Sequence, residues 1–185
     1  MRRLGISIYP EKSTLAEIKS YLKKTSEFGF SRIFSCLLSV NKPAEEIKKE
    51  FTEINEYAHS LGFEVIVDVS PRVFGELNIS YKDLSFFKEI GADGIRLDAG
   101  FSGLEESIMT YNLQGLIIEI NMSNNVHTLD TIMDYRPNKY KLYGCHNFYP
   151  HRYSGLNLDF YKECTRRFNQ YGLKTAAFVT CGDKH

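Results

Sequence analysis

GADGIRLDAGFSGLEESIMTYNLQGLIIEINMS, residues 91–123, sets the reading of the whole chain. Two runs, Asp93–Asp98 and Gly115–Asn121, alternate with the period of a strand, and Ser102–Tyr111 between them carries a helical pattern. Alternation sends successive side chains to opposite faces. Ile95 and Leu97 therefore share one face, and Arg96 and Asp98 the other. In the second run Leu116, Ile118 and Ile120 oppose Ile117, Glu119 and Asn121. No hairpin signal such as Asn-Gly joins the strands. Strand, helix and strand then form a βαβ unit with parallel strands and a right-handed crossover.

The same unit recurs on both sides. Further strands are expected at Arg3–Tyr9, Arg32–Leu37, Phe63–Val69, Lys141–Asn147 and Lys174–Thr180. Between them, Thr14–Phe28 carries Leu15, Ile18, Leu22 and Phe28 as an apolar stripe, and Thr14 with Glu17 makes a capping box. Pro43–Leu61 places Ile47, Phe51, Ile54 and Ala58 on one face, with Pro43 in the first turn and Gly62 at the C′ position. Near Asp83–Ile90, Leu84 and Phe87 face inward and Gly91 ends the helix. Helices are also expected at Thr128–Tyr135 and Asn157–Tyr171. Strand starts fall roughly 20 to 35 residues apart, the size of a βαβ repeat. No glycine-rich phosphate loop follows the first strand. The fold class is therefore α/β, a TIM (β/α)8-type barrel truncated after about seven βα units. Residues 1–185 read as an incomplete N-terminal barrel domain of a longer protein, because a closed barrel needs an eighth strand.

Bulk composition excludes several classes. The chain of 185 residues is 43% hydrophobic, 25% charged and formally neutral. Neutrality argues against a nucleic-acid partner held by a general basic field. The N-terminal apolar run is too short for a signal-peptide core, and no run approaches a membrane span. No membrane partner is expected and the location reads as cytoplasmic. Cys36, Cys145, Cys164 and Cys181 fit no zinc spacing. Cys36 and Cys145, in strand-like runs, read as small buried residues.

Polar groups gather at the C-terminal ends of the strands: Tyr9, Ser35, Asp68, Asp98, Glu119, Asn121, His146, Asn147, Tyr149 and Thr180. Barrel enzymes keep their active sites at that face. Each residue also has a structural reading. Asp68 could cap a loop, and Asp98 and Glu119 could both pair with Arg96 in an interior network. His146 could be packing, or with His151 and an aspartate a metal set, although the strand-end histidine pattern of a metal hydrolase is absent. Tyr149 and Phe148 could stack a sugar or fill the mouth. Arg72 and Arg152 are loop arginines, good clamps only if the ligand is anionic.

GISIYP (5–10), DVSP (68–71), IRLDAG (95–100), IEINMSN (118–124) and CHNFYPHRYSGL (145–156) occur in this order. Together they resemble the MupG family, the 6-phospho-N-acetylmuramidases, over essentially the whole chain. CHNFYP with the following GL is the most specific part. The resemblance implies a TIM barrel followed by a smaller cyclophilin-like β domain. It implies hydrolysis of the β-1,4 bond between N-acetylmuramic acid 6-phosphate and N-acetylglucosamine, a phosphorylated disaccharide of peptidoglycan recycling. No metal or organic cofactor is implied.

Glycoside hydrolysis needs two carboxyl groups about the bond. Glu119, Asp98 and Asp68 are the candidates, with Glu119 as the acid and Asp98 as its partner; assistance by the substrate's acetamido group is a further option. Tyr9, Arg72, Asn121, His146, Asn147, Tyr149 and Arg152 are expected to bind substrate, and Thr180–Lys184 to contribute to a phosphate site. Competing readings are a metal-dependent hydrolase, lyase or epimerase acting on a phosphosugar, and a non-catalytic sugar-phosphate binding module.

Overall fold

The structure is a computed structural model that describes residues 3–37, 41–98, 100–121, 142–148, 162, 166, 169, 170 and 174–179, with side chains through residue 119 and at 162, 166, 169 and 170. Its frame is a parallel sheet of seven strands in sequential order: β1 (Leu4–Ile8), β2 (Phe30–Cys36), β3 (Glu64–Val69), β4 (Gly94–Leu97), β5 (Ile117–Asn121), β6 (Leu142–Phe148) and β7 (Lys174–Val179). Every neighbouring pair is parallel. This is the βα progression of a TIM-type barrel, and all seven expected strands are present to within a few residues at each end.

The helices form where caps and stripes coincide. In α1 (Leu15–Glu27) the Thr14 hydroxyl accepts from the Glu17 backbone N–H at 3.3 Å, while Glu17 accepts from the Thr14 N–H at 2.8 Å. Ile18 and Leu22 are buried on its inner face. Phe28, expected on that stripe, is 68% exposed. The physical reason is phase: three residues past Leu22 comes Thr25, which is buried and bonds back to the Tyr21 and Leu22 carbonyls. In α2 (Ala44–Ser60) Ile47, Phe51, Ile54 and Ala58 are all buried, and Gly62 follows with φ +83°, a conformation only glycine adopts at low cost. Each such large apolar side chain contributes roughly 1.5–3 kcal/mol on burial.

The loop expected after β3 is instead a short helix, α3 (Pro71–Glu76), with Pro71 in its first turn. The helix expected near 83–90 is α4 (Ser85–Glu89), where Leu84 and Phe87 are fully buried. It starts late because the Asp83 carboxylate accepts from the Ser85 N–H at 3.0 Å. Next comes α5 (Gly103–Tyr111), opened by a second capping box between Ser102 and Glu105. Expected helix 128–135 lies outside the described residues; within expected helix 157–171, residues 162, 166, 169 and 170 are helical.

One face of the sheet meets the helices. Val65, Val67, Val69, Ile95, Leu97 and Ile118 join the main core with the helix residues. The opposite face carries Arg32, Phe34, Cys36, Glu64, Ile66, Asp68, Gly94, Arg96, Ile117 and Glu119, aligned by the register. Ile66 and Ile117 form a separate small cluster on that inner face. They close over Gly94, where a Cβ would come within 2.5 Å of the Ile117 carbonyl oxygen. Cys36 is buried, as expected of a small packing residue. Among the described residues, no helix is long and apolar enough to cross a membrane.

Candidate active site

The sequence EVIVDV of β3 alternates, so the valines turn toward the helices and Glu64, Ile66 and Asp68 turn into the barrel. Register then fixes a row across three strands: Asp68 pairs with Arg96, and Arg96 with Glu119. All three side chains are removed from solvent, at 4%, 3% and 1% exposure. Asp98 follows β4 directly, and its backbone N–H donates to the Val69 carbonyl at 2.9 Å. It stands two residues past Arg96, on the same alternation and closer to the strand's C-terminal end.

The two carboxyl groups of the row sit in different environments. Arg96 Nε lies 3.9 Å from Asp68 Oδ1, too far for a hydrogen bond. The Arg96 guanidinium also stacks over the Phe34 ring, 5.2 Å from its centroid. Asp68 Oδ1 accepts no hydrogen bond among the described residues. Burial pushes the Asp68 carboxyl up to about 8; Arg96 opposes the rise, and the charges of Asp98 and Glu119 add to it. At neutral pH Asp68 therefore holds a proton.

Glu119 is held by a different arginine from the one the sequence suggested. Its Oε1 accepts from Nη2 of Arg32 in β2. Arg32 Nε donates to Glu64 at 2.8 Å, and Glu64 takes both Nη groups of Arg3 at 2.9 and 3.0 Å. Arg3, Glu64, Arg32 and Glu119 thus form one chain of charge-assisted bonds. The expectation that Glu119 pairs with Arg96 is corrected by barrel geometry. Strands tilt by about 36°, so a register row climbs around the wall. Glu119 meets Arg32, four residues before the Cys36 that stands level with Asp68 in the ladder.

The expected substrate-binding residues divide by place. Tyr9 lies just past β1, 42% exposed, with the Lys12 ammonium 5.3 Å from its ring centroid. Arg72, read as a loop arginine, belongs to α3, because Pro71 starts a helix there. It is exposed and bonds Glu76 at 2.6 Å. Asn121 pairs with Cys145, His146 with Ala177 and Asn147 with Phe178 in the parallel ladder, which brings the ends of β5, β6 and β7 together. Tyr149, Arg152 and Thr180–Lys184 lie outside the described residues. The sequence reading missed Arg32 and Glu64 as partners of the row. Their even-numbered alternation with Phe34, Cys36, Ile66 and Asp68 was the available signal.

Seven parallel strands in sequential order, with buried carboxyls and arginines on the inner face, define a TIM-type protein. Residues 4–185 match the family described as 6-phospho-N-acetylmuramidase, N-terminal, and the chain belongs to that family. Among solved structures, an uncharacterized Bacillus cereus protein is 48% identical over 97% of this chain and 48% of its own, with a TM-score of 0.78. A conserved Enterococcus faecalis protein of unknown function is 22% identical over 94% of this chain and 47% of its own, with a TM-score of 0.75. An HpcH/HpaI aldolase from Desulfitobacterium hafniense shares the fold at 10% identity over 97% of this chain and 78% of its own, with a TM-score of 0.70. The chain spans about half the length of the first two. No curated protein matches it.

Proposed function

We propose that the protein is a cytoplasmic glycosidase that cleaves N-acetylmuramic acid 6-phosphate–N-acetylglucosamine in peptidoglycan recycling, by two-carboxylate chemistry. The observation that carries this reading is the buried Asp68 carboxyl, 3.9 Å from the Arg96 guanidinium, with Asp98 directly after the neighbouring strand; burial pushes the Asp68 carboxyl up to about 8. A glycosidase needs a carboxyl that keeps its proton at neutral pH and a second that stays charged. Asp68 takes the acid role first assigned to Glu119. It gives its proton to the glycosidic oxygen as the bond to the muramic carbon breaks. Asp98 is the partner carboxylate on the sugar face, and water, the co-substrate, adds to the muramic carbon to complete the hydrolysis. Glu119, fixed by Arg32, supplies a standing negative charge that favours the oxocarbenium-like transition state. Asn121, Asn147 and His146, at the ends of adjacent strands, are proposed to bind the sugar.

The test uses the full-length protein and the phosphorylated disaccharide, with products followed by mass spectrometry. The expected result is release of the two monosaccharides. Asp68→Asn and Asp98→Asn each lower kcat by about 10²–10⁴-fold, the usual contribution of an acid or base. Intact disaccharide with folded wild-type protein would refute the glycosidase. Full turnover by Asp68→Asn would refute only the acid assignment.

A further inference from the structure

We propose that Arg32 is a positioning residue, whose guanidinium bridges Glu64 and Glu119 and so fixes the Glu119 carboxylate inside the barrel. The inference rests on the glycosidase reading above and assigns Arg32 a role that acts through Glu119. Three observations support it. Arg32 uses two different nitrogens, Nε toward Glu64 and Nη2 toward Glu119, so the fork spans two carboxylates on different strands. Glu64 is itself anchored by both Nη groups of Arg3, which fixes the far end of the bridge. Ile66 and Ile117, each two residues from a bridged glutamate on the same alternation, pack together over Gly94 beside it.

Such an arrangement has a chemical consequence. A buried glutamate with a single fixed partner keeps one orientation, and a planar fork fixes that orientation in two directions at once. Lysine offers one nitrogen and cannot reproduce both directions. A charge that must face a developing cation gains from such fixing, because no reorganisation is then needed during the reaction.

The experiment compares Arg32→Met, Arg32→Lys, Glu119→Gln and the Arg32→Met/Glu119→Gln double variant in the full-length protein, by kinetics on the phosphorylated disaccharide and by thermal melting. Loss of positioning should appear in kcat, with KM little changed. Arg32→Met should lower kcat by about ten-fold or more, roughly the effect of losing one fixed electrostatic group, and Arg32→Lys should recover part of it. Adding Arg32→Met to Glu119→Gln should lower kcat little further, and the two melting shifts should be non-additive. Wild-type kcat in folded Arg32→Met, or additive melting shifts, would overturn the proposal. Should Arg32→Met fail to fold, Glu64→Gln loosens the same bridge, and an unchanged kcat there overturns it equally. If wild-type protein leaves the disaccharide intact, the glycosidase reading fails. The melting cycle then decides alone: non-additivity upholds the Arg32 bridge, and additivity removes it.

Discussion

Replacing Asp68 by Asn should change how stability depends on pH, by an amount the structure sets. The folded carboxyl sits at about 8, against an ordinary value of 3.8. Between those values the folded state keeps a proton that the unfolded chain has released. Raising the pH therefore favours unfolding. The contribution is intact below the unfolded value and is lost as pH rises to the folded one. A gap of about 4 units, at 1.36 kcal/mol each, makes the loss about 6 kcal/mol. Asp68 is almost fully buried, so solvent screening does not reduce this. Asparagine has nearly the same shape and does not titrate, so its curve lacks this slope. Urea denaturation of both proteins from pH 4 to pH 9 would measure it. The Asn variant should gain on the wild type by about 1.4 kcal/mol per pH unit through this window, then hold level above pH 8. Parallel curves for the two proteins would refute the reasoning, because Asp68 would then titrate alike in the folded and unfolded states.

Activity should follow the same group with the sign of an acid: kcat/KM should fall about ten-fold per pH unit above about 8, and a profile flat to pH 9.5 would remove Asp68 from that role. Gly94→Ala would push a Cβ to within 2.5 Å of the Ile117 oxygen and 2.7 Å of its Cβ. It should cost about 1–3 kcal/mol and lower the melting temperature. Asn55 is buried in α2 and donates to the Ile90 carbonyl at 2.7 Å. Asn55→Ala should cost about 1–3 kcal/mol by leaving that carbonyl without its partner, measured by chemical denaturation. Thr14→Ala removes the α1 cap and should cost about 1 kcal/mol, read the same way.

The strands were legible because their period is two and the inner and outer faces differ so sharply in polarity. Arg96 and Asp98 opposing Ile95 and Leu97 is a pattern with one sensible burial. Helices with a stripe and a cap were legible for the same reason, as Thr14, Glu17, Ile18 and Leu22 show. The S-x-x-E box at Ser102–Glu105 is equally readable. By contrast α3 has six residues and no stripe, so only Ser70 and Pro71 at its start separate DVSPRVFGE from a loop. Asp68, Asp98 and Glu119 could be nominated from position along their strands. Which arginine each would meet could not, because that depends on strand tilt around the barrel and on side-chain reach. Arg96 is an open partner for both Asp98 and Glu119 on the sequence, whereas in the fold Arg32 holds Glu119 and Arg96 approaches Asp68.

Charge inside this barrel separates structure from chemistry. Barrel interiors are normally filled by branched aliphatic side chains in layers. Here that material includes Ile66 and Ile117, while Arg32, Glu64, Asp68, Arg96 and Glu119 share the same face. Burying ions is costly, and close pairing with hydrogen bonds is what offsets the cost. Arg32, Glu64 and Glu119 have that pairing. Asp68 has an arginine at 3.9 Å and an oxygen with no hydrogen bond among the described residues, and it responds by taking a proton. A fold selected for stability alone would gain by replacing Asp68 with an apolar residue. A buried carboxyl beside Arg96 that keeps its proton instead suits the acid role proposed above. That gives Asp68→Leu a double expectation: a more stable protein above pH 7 by denaturation, and no turnover of the disaccharide. A stabilised variant that still cleaved would break the link between the two.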